Sequence, residues 1–233
     1  MSRLYLIPTP LGDYPPSEVL PEPVLALIPG IRLFFVEEIR TARRFLSAAG
    51  LRGHIEELEL HELNEHTDRA MIESYATLLE KQDAAIISEA GLPAVADPGA
   101  LLVELAHKKG VEVVPQVGPS SLMLALMSSG MNGQCFAFTG YLPAKKEERK
   151  AAILEIEKIS SRLKQSQIII ETPYRNDSLF ADMIALCKRT TRICIAADLT
   201  LPTAFIHTKS VAEWREHPPV IGKRPCVFVL MGN

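Results

Sequence analysis

The sequence predicts an α/β fold in two domains, on three observations. First, short apolar runs alternate with amphipathic stretches through the first half, the order expected of a mainly parallel sheet with helices packed on it. Second, Ala84-Ala85-Ile86-Ile87 carries no polar residue, as a strand buried on both faces does, and it passes straight into a loop rich in Gly and Pro. Third, beyond residue 133 the strand-like runs crowd together and outnumber the helices, which predicts an α+β mixed sheet. The expected domains are 1–116 and 117–233, with 118–133 as the joint and no long linker.

Residues 4–7 are the expected first strand. It ends at Pro8-Thr9-Pro10-Leu11-Gly12-Asp13, whose prolines cannot continue a central strand. Residues 17–27 carry further prolines, so any helix there is short or broken. Residues 31–36 read as the second strand. They run into 37–46, where Ile39, Ala42, Phe45 and Leu46 recur at helical spacing. Residues 56–60 alternate like a third strand. Residues 68–81 are amphipathic, with Ala70, Met71, Tyr75, Leu78 and Leu79 on the apolar side. After the strand at 84–87 comes a helix at 101–108, closed by Lys108-Lys109-Gly110, and then a strand at 111–115. A helix to about residue 128 leads into strands at 136–139, 168–171, 193–197, 205–207 and 226–231.

Composition narrows the functional classes. A net charge of −3 supplies no global basic field to recruit nucleic acid, which leaves local patches. Cys135, Cys187, Cys194 and Cys226 are scattered without a C-x-x-C pair, which favours reduced thiols over a metal site. His61 and His66 lack the H-E-x-x-H spacing of a zinc motif. Neither a G-x-G-x-x-G fingerprint nor a P-loop occurs, which disfavours nicotinamide enzymes and nucleotide hydrolases. The N-terminal apolar run meets Pro8 too soon for a signal segment, and no stretch is long enough to span a bilayer. A soluble cytoplasmic protein without a membrane partner is expected.

Chemistry-bearing residues gather at a few places. The loop 88–99 follows a strand, where open α/β sheets place their ligands, and contains Glu89 and Asp97. Two readings stand: Asp97 caps the next helix while Glu89 is solvated, or the loop cradles a small polar ligand with hydroxyls or an amine. Glu37 and Glu38 suit the dipole of the helix they precede, and Arg40, Arg43 and Arg44 form a small basic face. Residues 60–66 offer His61 and Asn64, the histidine as a candidate acid or base on a loop. In 116–122, Ser120 or Ser121 caps a helix whose first N–H groups can face a ligand. Lys145, Lys146, Arg149 and Lys150 beside Tyr141 are either solvated or suited to a phosphate backbone.

With these pieces in order, the chain resembles the tetrapyrrole-methylase superfamily of S-adenosylmethionine-dependent methyltransferases. Within it, the chain is most similar to the bacterial enzymes that methylate a cytidine 2′-hydroxyl in small-subunit ribosomal RNA. The motifs are LYLIPTPLGD (4–13), VEEIRTARRFL (36–46), LHELNE (60–65), SEAGLPAVADPG (88–99), VGPSS (117–121), FTGYLPAKKEER (138–149), ETPYR (171–175) and DLT (198–200). They cover nearly the whole chain in the family's order.

The resemblance implies a two-domain tetrapyrrole-methylase-like fold, with S-adenosylmethionine in the inter-domain cleft and usually a homodimer. By position it implies cofactor contacts from Pro10, Glu89, Leu92, Ala94, Asp97, Pro98, Ser120, Ser121, Tyr174 and Thr200. A ribose hydroxyl is a poor nucleophile, so a base or acceptor is expected nearby, with Glu38, His61 and Asn64 as candidates. Arg40, Arg43, Lys145, Lys146 and Arg149 are the expected contacts to ribosomal RNA. No metal is expected. The chain departs from the subgroup's pattern at Glu38, Ile39, Glu89 and 201–204, and reads as a shorter paralogue. Two alternatives share the motifs: methylation of a small molecule such as a tetrapyrrole, and a cofactor-binding homologue without catalysis.

Overall fold

A computed structural model describes residues 2–233, and the chain divides into two units between Ser120 and Ser121. In the first unit, β1 (Arg3–Ile7), β2 (Leu33–Val36), β3 (Glu59–Glu62), β4 (Ala84–Ile87) and β5 (Glu112–Pro115) form one sheet in the order β3-β2-β4-β1-β5. Every pairing in it is parallel. β2 and β4 are buried along their whole length, which is why they read as unbroken apolar runs.

Alternation along these strands builds two cores. Leu4, Leu33, Phe35, Ala84 and Ile86 face α3 (Arg69–Leu78) and α4 (Ala100–Lys108). Tyr5, Ile7, Phe34, Val36, Ala85 and Ile87 face α1 (Glu22–Leu27) and α2 (Ile39–Leu46). The placement follows from chirality. The chain steps one way along the sheet from β1 to β2 to β3, and the other way from β3 to β4 to β5. Right-handed crossovers therefore put the two helix pairs on opposite faces. Phe34 and Phe35 are fully buried, one in each core, and truncating either to Ala would cost about 3–5 kcal/mol.

The strand expected at 56–60 lies instead at Glu59–Glu62. Ile55–Glu57 is a short 3-10 turn, and pairing to β2 begins only at Glu59, whose N–H donates to Arg32 O at 2.8 Å. His61 accordingly stands in an edge strand rather than on a loop. All five carboxyl ends point to one edge, so the segments after β1, β2 and β4 converge there.

In the second unit, β6 (Phe136–Tyr141), β7 (Ser166–Ile170), β8 (Arg192–Ala197), β9 (Phe205–Ser210) and β10 (Cys226–Met231) form a sheet in the order β6-β7-β10-β8-β9. β6 and β7 are parallel and the other pairs antiparallel, with β10 at the centre. The unit also contains α5 (Ser121–Ser128), α6 (Lys146–Leu163), α7 (Asn176–Leu186) and α8 (Val211–Glu216). Trp214 anchors its core. The indole N–H donates to Ile193 O at 2.9 Å, and Phe180 meets the ring edge-on at 5.5 Å. Cys187 and Cys226 are buried beside this core, which pushes both thiols up to about 12. Among the described residues there is no disulfide and no His, Cys, Asp and Glu group that could hold a metal ion. No helix there is long and apolar enough to cross a membrane.

Candidate active site

Three segments build the carboxyl edge of the first unit. The one after β1 is tied to the one after β4 by paired backbone bonds: Thr9 N–H donates to Gly91 O at 2.9 Å, and Gly91 N–H to Thr9 O at 3.0 Å. The buried Thr9 hydroxyl also donates to Ser88 O at 3.2 Å. Gly91 has φ +85°, which a side chain would strain. Ala94 (φ 64°) and Ala96 (φ 63°) hold left-handed conformations without glycine's freedom, a strain of the kind that collects in ligand-holding loops. Gly118 lies against the same edge, where a Cβ would fall 2.4 Å from Pro8 Cβ.

Between these segments and α2 lies a cavity of about 390 Å³, walled by residues 9–14 and 87–90 together with Thr41, Arg44 and Phe45. Thr41, Arg44, Phe45 and Ala48 all line it, because spacings of three, four and seven share a helix face. The Thr41 hydroxyl bridges to Glu89 Oε1, and Glu89 N–H donates to Glu37 Oε2 at 3.2 Å. Glu89 Oε2 accepts no hydrogen bond among the described residues.

Four carboxylates, Glu37, Glu38, Glu89 and Asp97, are close enough to perturb one another. Burial raises the Glu89 carboxyl, the Thr41 bond opposes this, and the charges of Glu37 and Glu38 add to it. Burial, then the Glu37 charge, pushes Asp97 up to about 6 against a bond from Ser88. Glu38 is different. It caps α2, with Oε1 accepting from Arg40 N–H and Oε2 from Thr41 N–H, both at 2.8 Å. Those bonds hold its carboxyl below the usual range.

The structure sorts the expected residues. Pro10 and Glu89 line the cavity, whereas Leu92, Ala94, Asp97 and Pro98 continue along the same loop outside it. Asp97 is no cap: Gly99 precedes α4 and makes no side-chain bond to it. Ser120 and Ser121 flank the start of α5. In the second unit, Tyr174 is exposed with Lys223 Nζ 4.8 Å from its ring centre. Thr200 sits at φ +71° in a turn held by Asp198, whose Oδ2 accepts from Thr203 Oγ1 at 2.9 Å and Arg224 Nε at 2.7 Å.

Other expected residues are held in contacts of their own. As the cap of α2, Glu38 has both oxygens occupied and its carboxyl lowered, which leaves a poor base. His61 Nε2 lies 2.8 Å from Glu59 Oε1, and its ring packs against Phe35 and Tyr75. Asn64 shapes the turn after β3: its Oδ1 accepts from His66 N–H at 3.0 Å, and its Nδ2 reaches Glu37 O at 3.5 Å. Arg43 turns to Glu56 at 3.4 Å, and neither it nor Arg40 lines the cavity; Arg44 does. Arg149 is buried, with Nε 2.8 Å and Nη2 2.5 Å from Asp182 Oδ2. Its guanidinium faces Asp182 on α7 rather than the surface. Lys145 is exposed but paired with Glu148 at 3.2 Å, while Lys146 is exposed at the start of α6. Ile39, a departure from the subgroup's pattern, packs against the α1–α2 core.

The solved structure of the methyltransferase CobJ is similar at TM-score 0.64 and 14% identity, over 99% of this chain and 94% of that one. Uroporphyrin III C-methyl transferase from Thermus thermophilus gives 0.61 and 14%, over 99% and 97%. Diphthine synthase gives 0.65 and 13%, over 99% and 90%. The fold is thus the two-domain tetrapyrrole-methylase fold of these structures. No family model matches the chain. It is 30% identical over 210 residues to the Ribosomal RNA small subunit methyltransferase I of Vibrio cholerae, covering 90% of this chain and 69% of that protein. The protein of the same name from Escherichia coli O157:H7 is 29% identical over 235 residues, covering 99% and 78%. The chain belongs to the ribosomal RNA small subunit methyltransferase I family, and is a methyltransferase.

Proposed function

We propose that the chain transfers a methyl group from S-adenosylmethionine to a ribose 2′-hydroxyl of small-subunit ribosomal RNA. What carries the reading is the match to relatives of that name over 90% or more of the chain. The carboxyl-edge residues suit such a cofactor. Its sulfonium and ammonium outweigh its one carboxylate, and a net positive group relieves the mutual repulsion of Glu37, Glu89 and Asp97 that helps to raise the latter two. When bound, the cofactor supplies an electrophilic methyl group.

The protein's own residues supply the rest. The loop 88–99, with Pro10, Ser120, Ser121, Tyr174 and Thr200, is the proposed cofactor set. Glu89 is the proposed proton acceptor, because its Oε2 is unoccupied at the cavity wall while Thr41 fixes Oε1. Arg44, on the same wall and outside any ion pair among the described residues, suits the acceptor's phosphate. The reading includes a cytoplasmic homodimer; light scattering of the purified protein tests the dimer, and fractionation of cells tests the location.

The decisive experiment gives the protein methyl-tritiated S-adenosylmethionine and small ribosomal subunits lacking the modification. The expected result is label in RNA, recovered as an alkali-resistant dinucleotide because a methylated 2′-oxygen cannot attack its phosphate. Cofactor binding without transfer to RNA would overturn the reading and leave a small-molecule acceptor or a non-catalytic homologue.

A further inference from the structure

The expected RNA-facing loop is largely self-neutralised. Lys145 pairs with Glu148, Lys150 with Glu147 at 3.0 Å, and Arg149 is buried against Asp182. Another group of cations in the same unit is not. Lys158, Arg162 and Lys164 near the end of α6, and Lys188 and Arg189 before β8, are exposed and form no ion pair among the described residues. In a chain of net charge −3, such a concentration of free positive charge stands out.

The cations also have a shape. Lys158, Arg162 and Lys188 line a shallow hollow of about 370 Å³ with Leu154 and Ser161. Buried Glu157 stands at its base and accepts from Lys188 N–H at 2.8 Å and from the Thr191 hydroxyl. Glu157 therefore pins the 188–191 turn against α6 and holds Lys188 beside Lys158 and Arg162. The Ser161 hydroxyl is turned to Asn233 O at 2.5 Å, so the cations are the hollow's donors. Intramolecular needs do not explain the set. Like charges four apart at 158 and 162 disfavour a helix, the helix dipole accounts for Arg162 and Lys164 but not for Lys158, and Lys188 lies on a different element.

We infer that this hollow binds the phosphate backbone of the RNA substrate, away from the reacting nucleotide. The inference rests on the RNA reading above. β7 and β8 run in the same direction, since each is antiparallel to β10. Residues 158–164 and 188–189 lie at the start of these strands, while 172–175 and 198–200 lie at their far ends. Five or six residues at about 3.3 Å each separate the two ends by roughly 20 Å. An RNA touching both spans several nucleotides, so the surface selects a polymeric acceptor over a free nucleoside. Charge complementarity is what points to phosphate.

The test measures binding of in vitro transcribed small-subunit rRNA by fluorescence anisotropy against salt, for the full chain and for Lys158→Gln/Arg162→Gln/Lys188→Gln. These side chains are exposed, so an unchanged thermal midpoint is expected. Each lost contact to single-stranded RNA removes about 0.7 from the slope of log K against log salt. The triple variant should lose about 2 from the slope and roughly 100-fold in affinity at 0.1 M salt. Wild-type affinity and slope in the triple variant would overturn the inference alone. A wild-type protein without salt-dependent RNA binding would overturn it together with the RNA reading.

Discussion

The Thr41 hydroxyl donates to Glu89 Oε1, tying the first turn of α2 to the loop after β4 across the wall of the cavity. That bond orients the proposed proton acceptor and moderates its basicity. It lowers a carboxyl that burial raises. Thr41→Val should therefore move the Glu89 carboxyl further up, and the acid limb of the methyl-transfer pH profile with it. Carbon NMR titration of the carboxyl checks the direction in the cofactor-free protein. The stability change should stay within about 1.5 kcal/mol, as for one ordinary hydrogen bond.

Asp97 gives a prediction whose sign is fixed by linkage. Its folded carboxyl stands at about 6, above its ordinary value of 3.8, so between those values the folded state holds a proton that the unfolded state has released. Its contribution to stability falls as pH rises through that window and remains unfavourable above it. Asp97→Asn should raise the thermal midpoint at pH 7.5, with the gain fading toward pH 4. If instead the variant melts lower at pH 7.5, the carboxylate is held by partners stronger than the desolvation it suffers.

Gly118 tests the packing behind the site. A Cβ there would overlap Pro8 Cβ at 2.4 Å and Cγ at 2.7 Å, in a segment with no flexible side-chain end to move aside. Gly118→Ala should cost about 1–3 kcal/mol, read as a lower urea midpoint at unchanged slope.

The buried Arg149–Asp182 pair separates a structural cation from a surface one. Arg149→Met leaves the Asp182 charge nearly buried without its partner, and should cost about 3–5 kcal/mol. Arg149→Met/Asp182→Leu should recover most of that loss. Lys145→Gln, next to it in the same motif, should change stability by no more than about 0.5 kcal/mol.

The architecture was legible because periodicity carries it. The apolar run 84–87 and the helical spacing of Ile39, Ala42, Phe45 and Leu46 each report burial directly, and the first sheet is parallel throughout. Side-chain roles were less legible, because charge type alone does not say where a side chain points. Arg149 reads like its neighbours in KKEERK, yet it faces α7 rather than water. Arg44 was within reach of the same logic that found the core: it follows Thr41 by three residues, so the two share a face, and that face is the cavity wall. Glu38 and Glu89 are both acidic residues after a strand. What distinguishes them is that Glu38 captures two backbone N–H groups of α2, whereas Glu89 accepts from a side-chain hydroxyl on the cavity wall.

The central place of β10 bears on the order in which the molecule can form. β7 and β8 are both paired to β10, the last strand of the second unit to be synthesised. The first unit has all five of its strands by Pro115 and can fold while translation continues. The second must hold β7, paired only to β6, and β8, paired only to β9, each with one apolar edge open to stray pairing until Cys226–Met231 emerges to join them. Synthesis therefore produces a folded N-terminal half joined to an unfinished sheet, and a stall shortly before residue 226 leaves that intermediate exposed to aggregation.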